Sequence, residues 1–244
     1  MRDFVYPPAP RCGTIFFGCA VLLLSSCSEP NAKQKSTVSV LVEEPVVQTI
    51  KVKAQDSSKT GITDHNDART DWMFSIKPEL DFAIKEEKKA EDGYHIWITL
   101  NGVRLKLSLP IKTYASDKAT KEVLDHERGH VEICKRIYEN AREFGSKAAN
   151  GQIGKTFEGF GADRKLALSN AIQVAAQEVT SPYRADTSQR ADEVSSNYDL
   201  LCESEDRSGQ VDKTVQEAFA ATQEKSDGVQ RSSGDSQLSA TPKK

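Results

Sequence analysis

Residues 94–138 read YHIWITLNGVRLKLSLPIKTYASDKATKEVLDHERGHVEICKRIY, and a change of hydrophobic period inside this stretch decides the fold class. In its first half the apolar residues recur at every second position: Tyr94, Ile96, Ile98 and Leu100, then Val103, Leu105, Leu107 and Leu109. Period two marks strands with one face on a core, because successive side chains leave a strand on opposite sides. Asn101-Gly102 separates the two runs and suits a type I′ turn, so the expectation is a β-hairpin. In the second half the period turns helical. From Ser116 to about Phe144 there is no proline, and Val123, Leu124, Val131, Ile133, Cys134, Ile137, Tyr138 and Ala141 recur at helical spacing, which predicts one long amphipathic helix.

Outward from this stretch, Val38–Val42, Val46–Val52 and Trp72–Ile84 supply further short strands, with Pro45 and Pro78 at bends or edges and Pro110 closing the hairpin. Beyond Gly151 and Gly154, two helical segments run over Asp163–Val179 and Arg184–Cys202, separated by Ser181-Pro182. Strands first and helices second predict an α+β domain: a small antiparallel sheet with an N-G hairpin, packed against the long helix and two later helices. The expected domain covers residues 38–206. Residues 207–244 form a polar tail with one possible helix over 212–223, through Val215, Ala218, Phe219 and Ala221, and a remainder too poor in apolar residues to offset the entropy of ordering.

The helix carries the chemistry. His126, Glu127 and His130 form H-E-R-G-H, and positions i and i+4 lie on one helical face, so both imidazoles can reach one metal ion while Glu127 points to the same site. Zn²⁺ held there lowers the pKa of a bound water to about 7, and Glu127 is placed to take its proton as general base. Gly129 costs about 1 kcal/mol relative to Ala within a helix, a cost accepted where another backbone or a ligand must come close; a neutral accident in a stable helix is the alternative. The alternative to all of this is an ordinary charged helix. An exposed strand edge beside such a site can hold an extended peptide by backbone hydrogen bonds.

The 244 residues carry 33 basic and 36 acidic side chains for a net charge of −3, with no basic stripe interleaved with aromatics, so nothing points to nucleic acid. Lys85-Glu86-Glu87-Lys88-Lys89 reads as a solvated loop. At the N-terminus Arg2 and Arg11 precede an apolar stretch, Gly13–Leu24, that falls short of the ~20 residues of a membrane span. It ends in Leu24-Ser25-Ser26-Cys27 and resembles a bacterial lipoprotein signal, which implies a signal peptide over residues 1–26, a tether over 27–37 and lipid on Cys27. Ser28 at the next position implies the outer membrane, with the domain facing the periplasm. An uncleaved membrane anchor is the rival.

Thr70-Asp71-Trp72, Leu109-Pro110 and His126-Glu127-Arg128-Gly129-His130 followed by Val131-Glu132-Ile133 together resemble a domain-of-unknown-function family of predicted secreted Zn-dependent proteases, over roughly residues 38–206. In that family a Tyr-Asp-x-x-Thr segment with a His-Gly beyond it is typical. Here Tyr198-Asp199 keeps the first two positions, Cys202 stands in place of the Thr, and no histidine follows, so the obvious third ligand is missing.

A catalytic zinc usually has three protein ligands and an open position. His65, in a polar stretch, and His95, at a strand start, read as surface or structural histidines. The carboxylate candidates are Glu178, Asp199, Glu203 and Glu205. With Cys12 and Cys19 in the signal and Cys27 lipidated, Cys134 and Cys202 remain as an even pair in an oxidising compartment, and a disulfide between them is expected. Such a bridge pins the Tyr198 segment to the metal helix, which favours Asp199 as third ligand and Tyr198 as oxyanion stabiliser; two buried, reduced thiols are the alternative. The expected function is a lipid-anchored zinc metallopeptidase acting on peptides or envelope proteins. An envelope binding or scaffold lipoprotein without turnover, and a metallohydrolase of cell-wall cross-links, are the competing readings.

Overall fold

A computed structural model of the chain describes residues 37–53, 67–204, 207 and 209–234, all within one compact unit, Lys35–Lys244. The class is α+β. Among the described residues seven strands come in order, β1 Thr37–Val42, β2 Val46–Val52, β3 Ala68–Trp72, β4 Ser75–Ala90, β5 Gly93–Ser108, β6 Pro110–Ser116 and β7 Thr156–Gly161. The helices are α1 Lys121–Tyr138, α2 Ala141–Asn150, α3 Arg164–Arg184, α4 Arg190–Ser204 and α5 Val211–Gly234, with a π-helical turn, Ala185–Gln189, between α3 and α4.

The expected hairpin at Asn101-Gly102 does not form; both residues lie inside the single long strand β5. Asp81 pairs with Gly102 and Phe82 with Leu100, so Asn101 is one residue extra on β5. An extra residue shifts the inward face by one position. Ile96, Ile98 and Leu100 face the core before the bulge, and Val103, Leu105 and Leu107 after it, each at most 2% exposed. The even-to-odd change of parity was a bulge and not a turn. The real hairpin joins β4 to β5 through Glu91-Asp92, closed by Gly93 at φ 148°. A side chain at Gly93 would run into Phe160.

β5 is the axis of the sheet. β4 runs antiparallel along one edge, while the other edge is shared by β7, against Tyr94–Thr99, and by β1, parallel against Gly102–Leu107. The sheet is therefore mixed rather than antiparallel throughout. Past Leu109 the chain continues into a second sheet of order β2-β6-β3, in which β6 pairs parallel with β2 and antiparallel with β3. Backbone bonds from Val46 to the Leu109 carbonyl (3.0 Å) and from Met73 to the Pro110 carbonyl (3.2 Å) carry the neighbouring segments across this junction together. Pro110 opens β6 rather than ending a hairpin, and Pro78 sits in β4, an edge strand of its sheet that needs no N–H there.

The long helix is two. α1 starts at Thr120, whose hydroxyl accepts a bond from the Val123 N–H (3.4 Å), and stops at Glu139-Asn140; α2 follows after Asn140, a residue that competes poorly for helix interiors. Ser181-Pro182 does not separate helices, since Pro182 is carried inside α3 and the break falls at the π turn. There the Thr187 hydroxyl donates to the Tyr183 carbonyl (2.7 Å). Ala167, Ala171 and Ala175 give α3 a smooth buried face that lies directly on Gly159 and Gly161 of β7, where a Cβ would overlap the helix backbone. The core also continues beyond residue 206: Val211, Val215 and Ala218 of α5 are buried with it, and α5 runs on to Gly234 instead of ending near residue 223. Residues 235–244, the signal segment and its Cys27 lie outside the described residues.

Candidate metal centre

α1 presents His126, Glu127 and His130 toward β3 on one side and toward α4 on the other. Trp72, the last residue of β3, stacks on His130 with ring centroids 5.9 Å apart and planes inclined by 21°. From α4, Tyr198 sets its ring 5.2 Å from His126 and 5.3 Å from His130, and its hydroxyl donates to the backbone carbonyl of His126 (3.3 Å). The space for that ring is Gly129: a Cβ there would stand inside Tyr198. The glycine of H-E-R-G-H is thus accounted for by a neighbouring ring and not by a bound group.

Asp199 follows Tyr198 and completes a triangle. Its Oδ1 is 3.2 Å from His126 Nε2 and 3.1 Å from His130 Nε2, and the two nitrogens are 3.3 Å apart. Oδ1 is shut off from solvent and faces both imidazole nitrogens at ion-pair distance. Burial would raise the Asp199 carboxyl, but the two imidazoles outweigh it and hold the group well below the usual carboxylate range. His126 is raised from its ordinary value by the Asp199 carboxylate, against the opposing effect of burial. These three residues are close enough to hold a metal ion.

Glu127 is 7% exposed, and its Oε2 has no hydrogen-bond partner. The triangle and Glu127 open on a cleft of about 660 Å³, bordered by Asp67, Arg69, Thr70 and Trp72 of the β3 segment and by Cys202 and Glu203 of α4. Of the other expected ligands, Glu203 borders the cleft on an exposed turn, Glu178 is exposed on α3 away from it, and Glu205 and His65 fall outside the described residues. His95 belongs to the outer face of β5, bonded to Glu158 (2.8 Å) and set between Trp97 and Phe160.

Two expectations are corrected here. Cys134 and Cys202 are both free thiols. α1 and α4 pack antiparallel: Tyr198 lies level with His126 and Gly129, Cys202 lies beyond them at the Val123 end, and Cys134 is near Asp192 at the other. Asp192 and Cys202 are separated by about 15 Å of helix, so no bridge can close. Asp199 reaches the histidines through the packing of Tyr198, without the disulfide. Tyr198, in turn, is 1% exposed and does not border the cleft, so its hydroxyl orients the helix and is not offered to a substrate oxygen. Burial raises its phenol pKa, which keeps it protonated.

The residues of this segment were not singled out as site residues in the sequence, because Asp67 precedes, and Arg69 and Thr70 belong to, a short strand with no apolar alternation to mark it. Comparison with known proteins finds no family model, no curated protein and no solved structure that matches the chain. Among the described residues no helix is long and apolar enough to cross a membrane.

Proposed function

We propose that the chain is a zinc-dependent metallopeptidase held in the bacterial envelope by lipid on Cys27, at the outer membrane and facing the periplasm. The observation that carries the metal reading is the triangle of two imidazole nitrogens and one carboxylate oxygen with edges of 3.1–3.3 Å. Four-coordinate zinc with bonds of about 2.05 Å separates its ligand atoms by about 3.3 Å, and a His₂-carboxylate set leaves the fourth position open. A buried carboxylate oxygen on which two imidazole nitrogens converge suits a cation's ligand set.

When bound, the ion supplies a polarised water and an electrophile for the scissile carbonyl. The remaining work falls to the chain. Glu127, buried and unpartnered at the floor of the cleft, takes up the proton of the attacking water and returns it to the leaving nitrogen. Trp72 stacks on His130 and Tyr198 packs against both imidazoles, so their Nε2 atoms converge before any ligand arrives. Because β3 ends one side of the order β2-β6-β3 and also borders the cleft, a backbone edge is available to an extended chain, which supports a peptide substrate over an ester.

A second reading, an envelope scaffold without turnover, is favoured by one feature. Nδ1 of His130 is buried without an acceptor, whereas ligating histidines usually have that nitrogen oriented by a partner. Metal analysis separates the readings. Purified protein should contain one zinc per chain, lost in His126→Ala; a folded wild type without stoichiometric metal would support the scaffold. Glu127→Gln should keep the zinc and lose at least about a hundredfold in turnover. Cys27→Ala should move the protein from the membrane to the soluble fraction.

A further inference from the structure

The cleft has a backbone edge and a charge that together specify a substrate class. Just beyond the two ends of β3 the Ser116 N–H bonds to the Asp67 carbonyl (2.8 Å) and the Met73 N–H to the Pro110 carbonyl (3.2 Å), so in this register the odd-numbered residues form the hydrogen-bonded pairs with β6. Antiparallel pairing alternates, and the even-numbered residues therefore turn their N–H and C=O groups to the other side. The hydroxyls of the Thr70–Thr113 pair, 3.1 Å apart, agree with the closer spacing of a non-hydrogen-bonded pair. Among the described residues β3 has no strand on that side. Ala68 is fully buried, whereas Thr70, only 8% exposed, and the half-buried Trp72 both border the cleft, so a bound chain would meet the edge at these two residues.

Charge selects what that chain carries. Among the described residues bordering the cleft, Asp67, Glu127, Asp199 and Glu203 are carboxylates and Arg69 is the cation, itself tied to Asp71 by two bonds of 2.7 Å. A divalent ion offsets Asp199 and Glu127, which leaves Asp67 and Glu203 in excess. Asp67 accepts a bond from the Ser116 hydroxyl (2.9 Å). The Glu203 side chain makes no hydrogen bond or ion pair among the described residues, its charge being felt by His126, and it lies one helical turn beyond Asp199 on the same face, about 6 Å along the axis. Extended chain covers that distance in about two residues.

We propose that this site, read as a metallopeptidase, takes cationic extended polypeptides: the backbone pairs with Thr70 and Trp72 on the free edge of β3, and a lysine or arginine within about two residues of the scissile bond meets Glu203. The proposal rests on the peptidase reading for cleavage but not for binding. Full-length zinc-loaded protein is assayed with peptides of one frame carrying Lys, Gln or Glu scanned across the cleaved bond, by turnover of quenched substrates and by polarisation of fluorescein-labelled ones. The Lys peptides should exceed the Glu peptides about tenfold in kcat/KM and in affinity, and Glu203→Lys should reverse the order at unchanged zinc content. N-methylation of the favoured peptide should abolish binding at alternate amides only. Cleavage with no charge preference, a preference untouched by Glu203→Lys, or tolerance of every N-methyl group overturns the proposal and leaves the peptidase standing. Preferential binding without cleavage does the reverse.

Discussion

Replacing Gly129 by alanine pits a local preference against a tertiary contact, and the two have opposite signs. In a helix interior Ala is favoured over Gly by about 1 kcal/mol, so a helix with nothing beside it would be stabilised. At Gly129, however, the new methyl group would occupy the position of the Tyr198 ring, which is 1% exposed and has no free volume to retreat into. Overpacking of this kind costs about 1–3 kcal/mol, and displacing the ring also forfeits its hydroxyl bond to the His126 carbonyl, a further 0.5–1.5 kcal/mol or about that. The expected net is a destabilisation of about 0.5–3.5 kcal/mol. Asp199 is the next residue in the chain, so the same displacement should weaken zinc binding by about tenfold or more. Denaturant unfolding of the metal-free protein and zinc titration read the two effects. A Tyr198→Ala background should remove the penalty and restore the alanine gain, the signature of direct coupling. Stabilisation of the single mutant by about 1 kcal/mol with unchanged zinc affinity would refute the account of the glycine.

The metal-free protein should have its stability bounded on both sides. The depressed Asp199 carboxyl contributes stability that is present above its unfolded value and lost as pH falls through its lower folded one, below about pH 4; raised His126 contributes stability present below about pH 6.5 and lost as pH rises through its higher folded value. Thermal unfolding from pH 3 to 9 checks this, and a flat profile above pH 6.5 would count against the His126–Asp199 pair. Zinc needs both imidazoles neutral, so its affinity should climb over the same upper range. In protein lacking the first 34 residues, Cys202 should react with a thiol reagent in the native state and Cys134 only after unfolding, both without reductant; absence of reaction until reductant is added would restore the disulfide. Deleting Asn101 should leave the chain folded, because without the extra residue Leu100 and Val103 fall on regular alternation and Val103, Leu105 and Leu107 keep facing the core; an unfolded deletion protein would contradict the bulge.

Much of the candidate site was legible because it is local. His126, Glu127 and His130 lie within one and a half turns of a single helix, and helical geometry alone puts them on one face. Asp199 was reached by a wrong route: the assumed Cys134–Cys202 bridge does not exist, yet the residue beside Tyr198 still arrives at the histidines. The N-G dipeptide misled because a parity change in an apolar pattern is the same whether a turn or a bulge produces it. The Asp92-Gly93 pair, flanked by Ala90 and Tyr94, was the turn signal that mattered. Pro182 misled in the opposite way, since the π turn after it, not the proline, ends the helix.

By itself the sequence determined the α+β class, the strand and helix periods and the two histidines with their glutamate, since each depends on spacing along one element. Only the tertiary structure decided that Asp199 joins the two histidines, the reason for Gly129, the edge of β3 and the distance between the cysteines. Those depend on how α1, α4 and β3 pack, with Tyr198 in the gap left by a missing side chain, and packing between elements distant in the chain leaves no period in the sequence.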